Sequence, residues 1–268
     1  MANTDKNLCF VLGAGGARGI AHIGFLQAME ENGIFPDCIV GCSMGSVVGG
    51  CYSAGISPSK MKDVALSLKA GDIIDVAPNF LSKKGILRSV KMQIRLERLL
   101  GDTTFDGLKI PFECVAVDII SGKAVTLNSG RVEEAVRASS SIPLVFRPVL
   151  KDGMELIDGA TLVRVPVKNA EHFKAKVVVA VDVLGKIRPK EIPTKNIIEL
   201  GLRAVDVNDS HHTANYLRIH RPDLLIEPDL GDMSQYKIEK LAFAYEQGYK
   251  CGQENADKIK KLLSEKLS

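Results

Sequence analysis

Short apolar runs alternate with helical patterns over roughly the first 55 residues of the chain. Residues 8–12 form a continuous apolar run that ends in glycines, which is typical of a buried parallel strand. Apolar residues then recur with helical spacing over 20–32, and the pattern stops at Gly33. A second apolar run covers 37–40 and leads into another helical segment. Strand, helix, strand and helix in this order predict βαβ units and a parallel sheet.

The remaining chain continues this mixture of strands and helices. Ser57 and Pro58 predict a helix start, because serine is a good N-cap and proline suits the first helical position. The patterns also predict strands over 111–117, 123–127, 146–150, 154–157, 177–181 and 223–226, helices over 86–100, 132–138, 195–218 and 236–266, and irregular structure over 71–85. No repeat or linker divides the sequence. We therefore expect a single α/β domain over 1–268, a three-layer α/β/α sandwich with a mainly parallel central sheet, in which 195–266 supply covering helices.

Composition narrows the class of protein. With 46% hydrophobic and 25% charged residues, the chain of 268 residues has an ordinary globular composition. A net charge of +3, without runs of like charge, does not favour nucleic-acid binding. No apolar segment reaches the ~18 residues of a membrane span, and the N-terminus is too polar for a signal peptide. We expect a cytoplasmic protein, with peripheral contact to the inner membrane face as a further hypothesis.

The six cysteines form neither a metal-binding nor a disulfide pattern. They are Cys9, Cys38, Cys42, Cys51, Cys114 and Cys251. None belongs to a C-x-x-C pair, and no cluster of cysteine and histidine has zinc spacing. Most lie in apolar runs, where free cysteine behaves as a small hydrophobic residue. The sequence therefore predicts a reducing compartment and no disulfides.

The pentapeptide Gly-Cys-Ser-Met-Gly at 41–45 is the strongest chemical signal in the chain. It lies between a predicted strand and a predicted helix, the context in which G-x-S-x-G forms a nucleophile elbow. A sharp turn there projects the Ser43 hydroxyl, while Gly41 and Gly45 leave room for the adjacent strand and helix. A plain turn is the alternative interpretation. Cys42 is a weaker candidate nucleophile, because adjacent residues in a tight turn point in different directions.

A glycine-rich loop, Gly-Ala-Gly-Gly-Ala-Arg-Gly at 13–19, follows the first predicted strand and opens the first helix. Amides in such a loop bind anions, either a dinucleotide pyrophosphate or the oxyanion of a tetrahedral intermediate. The dinucleotide motif G-x-G-x-x-G would need glycine where Arg18 stands. A tight turn without an anion is the third interpretation, and Arg18 could pair with an anionic ligand or with a structural partner. The loop and the elbow both follow predicted parallel strands, at the edge where α/β sheets bind ligands.

A nucleophilic serine needs a base, and the sequence offers several. The histidines are His22, His172, His211, His212 and His220. His22 lies one turn into the first helix, where packing is the simpler role, and the last three fall in a polar helical stretch. The aspartates at predicted strand ends are Asp118, Asp158 and Asp182. Spacing alone does not choose among these groups.

Four short motifs follow one another along the chain. They are Gly15-Gly16-Ala17-Arg18-Gly19, Gly41-x-Ser43-x-Gly45, Ala138-Ser139-x-x-Ile142-Pro143 and Asp158-Gly159-Ala160. In this order they resemble the patatin-like phospholipase family, in particular its compact bacterial members, over about residues 8–185. The resemblance implies a Ser-Asp dyad that uses no histidine, no cofactor and no metal.

The resemblance also implies a role for each matching residue. Ser43 would be the nucleophile and Asp158 the base that activates it. The oxyanion hole would lie around Gly15, Gly16, Arg18 and Met44, and the glycines that shape the loops would be Gly13, Gly19, Gly41, Gly45 and Gly159. Ala14 stands where the family commonly has glycine, and Cys42 where it often has threonine. Neither departure removes a catalytic group.

The segment 71–105 is where we expect the substrate mouth. In the predicted helix 86–100, a basic stripe lies on one side of an otherwise largely apolar surface, formed by Arg88, Lys91, Arg95 and Arg98. One hypothesis is that this helix covers the acyl pocket and turns the stripe towards anionic head groups. The alternative is a core-packed helix with a solvated basic face.

The expected function is hydrolysis of lipid acyl esters, of the phospholipase A or lysophospholipase type, through an acyl-enzyme on Ser43. Burial of Asp158 would raise its pKa and make it a better base. Acyl transfer or thioester hydrolysis on the same dyad is the enzymatic alternative. A non-catalytic nucleotide-binding or regulatory module is the other, and it predicts that Ser43→Ala has no effect.

Overall fold

The computed structural model describes residues 6–68, 75–76, 87–88, 90–143, 145–187, 189, 194, 197–236 and 238–267. Its strands are β1 (Leu8–Leu12), β2 (Cys38–Cys42), β3 (Asp75–Val76), β4 (Leu87–Arg88), β5 (Phe112–Asp118), β6 (Lys123–Leu127), β7 (Val149–Lys151), β8 (Met154–Asp158), β9 (Val177–Val181) and β10 (Leu224–Ile226). Its α-helices are α1 (Ala21–Glu31), α2 (Met44–Ser53), α3 (Pro58–Leu66), α4 (Val90–Leu100), α5 (Val132–Ser139), α6 (Ile197–Ile219) and α7 (Leu241–Leu267).

The main sheet has the strand order β10-β9-β1-β2-β5-β8-β7, and β6 also pairs with β5. Neighbours from β10 to β5 are parallel, whereas β6, β7 and β8 run antiparallel to the strands they pair with. Every residue of β1 and β2 is buried, which explains why these strands are apolar runs without alternation. The predicted α/β class with a mainly parallel sheet is confirmed.

Helices cover both faces of the sheet. On one face, Phe10 and its neighbours at alternate positions belong to a large apolar core that includes residues of α1, α2 and α7. On the other face, Cys9 and Val11 pack with residues 165–170, and Tyr216 of α6 lies against the same cluster. Alternation of side chains along β1 separates these two cores. The arrangement is the three-layer α/β/α sandwich that the sequence predicts.

The two longest helices, α6 with 23 residues and α7 with 27, lie in the covering layers. Helix α7 packs along α1, where a Cβ on Gly248 would overlap the carbonyl oxygen of Ala21. Glycine is therefore required for this close approach. Of the helices described, none is both long enough and apolar enough to cross a membrane.

Several element boundaries differ from the sequence prediction. The strand expected over 146–150 begins only at Val149, because Pro148 has no amide N–H for a strand ladder. The helix expected over 86–100 begins at Val90. Strand β4 occupies part of the expected start of that helix and pairs antiparallel with β3, which lies in the segment 71–85 expected to be irregular. The last helix begins at Leu241 rather than 236. The other residues of 71–85, together with residues 86 and 89 of the expected helix, lie outside the described residues.

Candidate active site

Strands β2 and β8 meet end to end along one edge of β5. Strand β2 pairs with the first half of β5 and antiparallel β8 with the second half. Strand β6 pairs across both halves, so it occupies the opposite edge and leaves one edge to β2 and β8. Cys42 lies opposite Val115, and Asp158 lies opposite the next residue, Ala116. The residue that follows β2, Ser43, is therefore brought beside the last residue of β8.

Ser43 forms the turn between β2 and α2 in a strained backbone conformation. Its φ is 52° and its ψ is −124°, values that a residue with a side chain rarely adopts. Helix α2 begins at the next residue, so Ser43 stands at its N-terminus. A Cβ on Gly41 would lie 2.5 Å from the Cα of Ser46, and one on Gly45 would overlap the carbonyl oxygen of Leu12. The tight elbow therefore depends on both glycines.

The Ser43 hydroxyl donates a 2.6 Å hydrogen bond to Oδ2 of Asp158. The other carboxylate oxygen, Oδ1, accepts a 2.8 Å hydrogen bond from the amide of Ala160. The two side chains are buried, with Ser43 4% and Asp158 3% exposed. Burial raises the pKa of Asp158 to about 7, although the hydrogen bonds from Ser43 and Ala160 oppose the shift. The carboxylate is therefore suited to accept a proton near neutral pH.

Backbone hydrogen bonds hold the glycine-rich loop on both sides. The amide of Gly13 donates to the carbonyl oxygen of Val181 at 3.0 Å, and the amide of Ala17 donates to that of Gln235 at 2.9 Å. Gly16 has a φ of 50°, and a Cβ there would overlap the Gln235 carbonyl oxygen. Only glycine fits this position without moving the backbone.

Three amide nitrogens at the loop and the elbow, those of Gly15, Gly16 and Met44, have no hydrogen-bond acceptor in the part of the chain that the structure describes. The loop packs directly against the start of α2, since a Cβ on Gly19 would overlap the Met44 side chain. Amides in a glycine turn and at a helix N-terminus attract negative charge. The amides of the loop and of the first residue of α2 can therefore receive an anion, and Met44 directly follows Ser43 in the chain.

Arg18 forms hydrogen bonds both within the glycine-rich loop and with two other segments of the chain. Its amide donates to the carbonyl oxygen of Gly15 at 3.0 Å. Its side chain donates from Nε to the carbonyl oxygen of Val183 at 2.8 Å and from Nη1 to that of Met233 at 3.3 Å. This differs from the expectation that Arg18 belongs to the oxyanion hole, because its amide is already occupied. The guanidinium instead fastens the loop to two other chain segments.

Within the described residues, no histidine forms a hydrogen bond with Ser43 or Asp158. His22 is fully buried and donates from Nε2 to the carbonyl oxygen of Gly13 at 2.8 Å. Burial lowers its pKa to about 4, so the ring is neutral at physiological pH. Nδ1 of His172 lies 3.0 Å from a carboxylate oxygen of Glu113. The remaining histidines lie on α6 or directly after it: His211, His212 and His220.

The other two candidate aspartates support the fold. The Asp118 carboxylate accepts hydrogen bonds from the amides of Ile120, Ser121 and Glu155. Asp182 forms a buried 2.6 Å ion pair with Arg164. Of the three aspartates, Asp158 is the one whose carboxylate bonds to Ser43.

Two further residues shape the site without having been singled out for it. Ser139, which lies in one of the four motifs, accepts a 3.0 Å hydrogen bond from the amide of Ser43. Arg164 has a second carboxylate partner, Asp209, at 2.9 Å, and its carbonyl oxygen accepts from the amide of Ala14 at 2.9 Å. The motif was a usable signal for Ser139. Nothing in the local pattern distinguished Arg164 from a surface arginine.

Cys42 is fully buried, and burial raises the pKa of its thiol well above the usual range. A buried, protonated thiol is a poor nucleophile, which disfavours the alternative in which Cys42 reacts. All six cysteines are free thiols in this structure. In the described ranges, no three or more side chains of His, Cys, Asp or Glu are grouped as metal ligands.

The hypothesis of a basic stripe over the substrate mouth falls mostly on residues that are not described. The side chains of Arg88, Lys91 and Arg95 lie outside the described residues. Near the end of α4, Leu96 and Leu100 are buried and Arg98 is exposed. The described part of this helix therefore packs on the core with Arg98 outward, and the stripe stays a prediction.

Comparison with known proteins places these features in a family. A family model described as patatin-like phospholipase matches residues 10–171. This span is more than half of the chain and contains the glycine-rich loop, the elbow and Asp158. The chain belongs to the patatin-like phospholipase family. The resemblance predicted from the four motifs is therefore confirmed.

Individual members of the family differ greatly from this chain in length. An uncharacterized NTE family protein of Mycobacterium tuberculosis is 36% identical over 183 residues, which cover 68% of this chain and 51% of that protein. The chain thus spans about half the length of this relative. Lysophospholipase nte1 of Emericella nidulans is 31% identical over 177 residues, 65% of this chain and 12% of that protein. The crystal structure of VipD from Legionella pneumophila shares the fold, with a TM-score of 0.61 at 13% identity over 95% of this chain and 67% of that one.

Proposed function

We propose that this patatin-like protein is a serine hydrolase of lipid acyl esters, of the phospholipase A or lysophospholipase type. The observation that carries the proposal is the 2.6 Å hydrogen bond from the Ser43 hydroxyl to the buried carboxylate of Asp158. With a pKa of about 7, this carboxylate is partly ionised at neutral pH and is a stronger base than an ordinary aspartate. Membership of the patatin-like phospholipase family and the name of the fungal relative support a lipid ester as substrate.

In the proposed reaction, Oγ of Ser43 attacks the ester carbonyl carbon while its proton moves to Oδ2 of Asp158. The tetrahedral intermediate collapses, the bond to the alcohol breaks, and the leaving alcohol takes the proton from Asp158. The acyl group then remains on Ser43 as an ester. Water attacks this ester and gives a proton to Asp158, and the released Ser43 oxygen takes that proton back as the fatty acid leaves. These steps call on no cofactor and no metal.

The negative oxygen of each tetrahedral intermediate would be received by the amides of Gly15, Gly16 and Met44. Two observations support this assignment: the described residues provide no acceptor for these amides, and Met44 is the first residue of α2. Donors that are already fixed in place stabilise a developing oxyanion strongly, and loss of one typically lowers kcat by about 10²–10³-fold. Arg18 is left out of this set because its amide is bonded to Gly15.

A fluorophosphonate probe tests the dyad directly, because it reacts only with an activated serine. We expect rapid labelling that mass mapping assigns to Ser43, and its collapse in Asp158→Asn. Asp118→Asn is a matched control, since Asp118 is another buried aspartate at a strand end but bonds to its neighbouring loop and to Glu155, not to Ser43. Absence of labelling in the folded wild type would overturn the proposal and favour a regulatory module.

Product analysis separates the possible acyl-transfer reactions. Lysophosphatidylcholine, with one acyl ester, and a diacyl phospholipid, with two, are compared first, since the proposal includes the acyl esters of either lipid as substrate. Adding a short alcohol then distinguishes hydrolysis from transfer, because a transferase would divert the acyl group from water to the alcohol. A thioester substrate turned over faster than both oxygen esters would contradict the proposed substrate class.

The proposal also includes peripheral contact with an anionic membrane surface, because lipid esters reside in bilayers. Replacing Arg95 and Arg98 by glutamine would remove two charges of the predicted basic stripe. Weaker partitioning of this variant onto vesicles of anionic lipid is the expected result. Equal partitioning of the variant and the wild type would contradict this part of the proposal.

A further inference from the structure

The C-terminal end of α5 touches both members of the dyad through the tripeptide 139–141. The hydroxyl of Ser139 accepts a 3.0 Å hydrogen bond from the amide of Ser43. Two residues later, the carbonyl oxygen of Ser141 accepts a 2.9 Å hydrogen bond from the amide of Asp158. One short segment therefore fixes the backbone of the nucleophile and the backbone of the base at the same time.

The Ser139 hydroxyl also fastens this segment to β5. It donates a 2.7 Å hydrogen bond to the carbonyl oxygen of Val115, the residue opposite the end of β2. A hydroxyl has one hydrogen to donate, so the bond to Val115 leaves its lone pairs for the amide of Ser43. Ser139 is completely buried, and both polar groups that it satisfies belong to the main chain at the junction of β2 and β8.

The meeting point of β2 and β8 explains why the hydroxyl of Ser139 is needed to bond the main chain there. Strand β2 ends opposite Val115, and the last residue of β8, Asp158, lies opposite the adjacent Ala116. The regular ladder of hydrogen bonds along this edge of β5 is therefore interrupted between the two strands. A Cβ on Gly159 would overlap the Val115 carbonyl oxygen, so the chain after β8 passes close to the same point. The hydroxyl of Ser139 supplies the hydrogen bonds that the interrupted ladder cannot.

The helix that carries Ser139 is itself held firmly. Val132 and Val136 of α5 are fully buried, and a Cβ on Gly50 of α2 would lie 3.2 Å and 3.1 Å from their methyl groups. Helix α5 therefore packs closely against the helix that follows the elbow. This packing fixes the position of Ser139, and the Ser139 hydroxyl in turn binds the amide of Ser43.

We propose that Ser139 is a positioning residue whose hydroxyl holds the strained Ser43 backbone at the distance from Asp158 that proton transfer requires. The inference rests on the proposed function, since a positioning role has meaning only if the dyad reacts. Small displacements of a reacting group reduce rates by up to about 100-fold, so the effect is large enough to measure. Ser139 is not assigned any contact with the substrate.

Ser140 provides a matched control. Its hydroxyl is also buried and donates a 2.7 Å hydrogen bond to the carbonyl oxygen of Val136, one turn earlier in the chain. Ser140 directly follows α5 and differs from Ser139 because its hydroxyl bonds only to the last turn of that helix. We expect Ser139→Ala to lower kcat and the fluorophosphonate labelling rate at Ser43 by about 10- to 100-fold with KM nearly unchanged. Ser140→Ala is expected to label at the wild-type rate.

A second measurement is independent of activity. In the wild type the Ser43 amide is bonded and buried, so its hydrogen exchange should be slow, and Ser139→Ala should accelerate it while Ser140→Ala does not. If Ser139→Ala fails to fold, Ser139→Cys tests the same point, because a thiol has a similar shape but forms weak hydrogen bonds.

Unchanged exchange at Ser43 in the folded Ser139 variant would overturn the inference, and so would faster exchange in that variant with an undiminished labelling rate. Equal losses of labelling in Ser139→Ala and Ser140→Ala would also overturn it, because a general weakening of the helix would explain both. A wild type that takes no label would overturn the proposed function instead, and with it the positioning role, whatever the exchange of Ser43.

Discussion

Asp158→Asn is expected to remove activity and yet to stabilise the folded protein at neutral and alkaline pH. Burial raises the pKa of this carboxyl from 3.8 to about 7. Between these two values the folded protein holds a proton that the unfolded chain has released. The free energy of unfolding of the wild type therefore falls as pH rises through this window, by about 1.4 kcal/mol per pH unit. The stability that the protonated Asp158 contributes is fully present at pH values below its pKa in the unfolded chain and is lost at pH values above its pKa in the folded protein.

The magnitude follows from the width of the window. Three pH units correspond to about 4 kcal/mol, which is the free energy that ionising Asp158 removes from the folded state. An asparagine does not titrate, and its side-chain oxygen can still accept from the amide of Ala160. The free energy of unfolding of the variant therefore does not fall with the ionisation of residue 158, and its excess over the wild-type value grows as pH increases up to about 7.

Chemical denaturation of wild type and variant at pH 5, 6, 7 and 8 measures this difference. Other titrating groups cancel in the comparison, since both proteins contain them. We expect the stability of the wild type relative to the variant to fall by about 2 kcal/mol between pH 5 and pH 7 and to level off by pH 8. A difference that stays constant across this range would refute the raised pKa. Asp118→Asn should show no such trend, because hydrogen bonds lower the pKa of that carboxyl.

Three further predictions concern the elbow and its surroundings. The rate of fluorophosphonate labelling at Ser43 should rise about tenfold per pH unit below 7 and level off above it, and a flat profile would exclude Asp158 as the base. Gly45→Ala should lower stability by about 1–3 kcal/mol and suppress labelling, because the new methyl group would overlap the backbone, whereas Gly107→Ala should do neither, with its nearest contact at 3.7 Å. Arg164→Met should lower the free energy of unfolding by about 3–5 kcal/mol, since the buried carboxylate of Asp182 and the partly buried one of Asp209 lose their partner, and a loss below 1 kcal/mol in denaturation would contradict that account.

Local patterns in the sequence determined the elements around the nucleophile. The apolar run of β1, the helix that follows it and the glycines about Ser43 are all readable over a few residues, because strand and helix periodicities and turn chemistry are local properties. Boundaries failed where one residue has an overriding effect, as at Pro148 before β7. They also failed at β3 and β4, where strand pairing decides the structure of a segment whose own pattern suggested a helix or no regular element.

The sequence by itself left the base open among several aspartates and histidines, and only resemblance to a family selected Asp158. The tertiary structure decides which group lies beside Ser43, because β8 runs antiparallel to β5 and stops where β2 ends, so two side chains 115 positions apart come within 2.6 Å. The raised pKa of Asp158, the occupied amide of Arg18 and the bridging hydroxyl of Ser139 likewise depend on burial and on partners distant in the chain. Periodicity specifies which residues face a core, whereas sheet register specifies which distant residues meet, and the register is set only when the whole sheet has assembled.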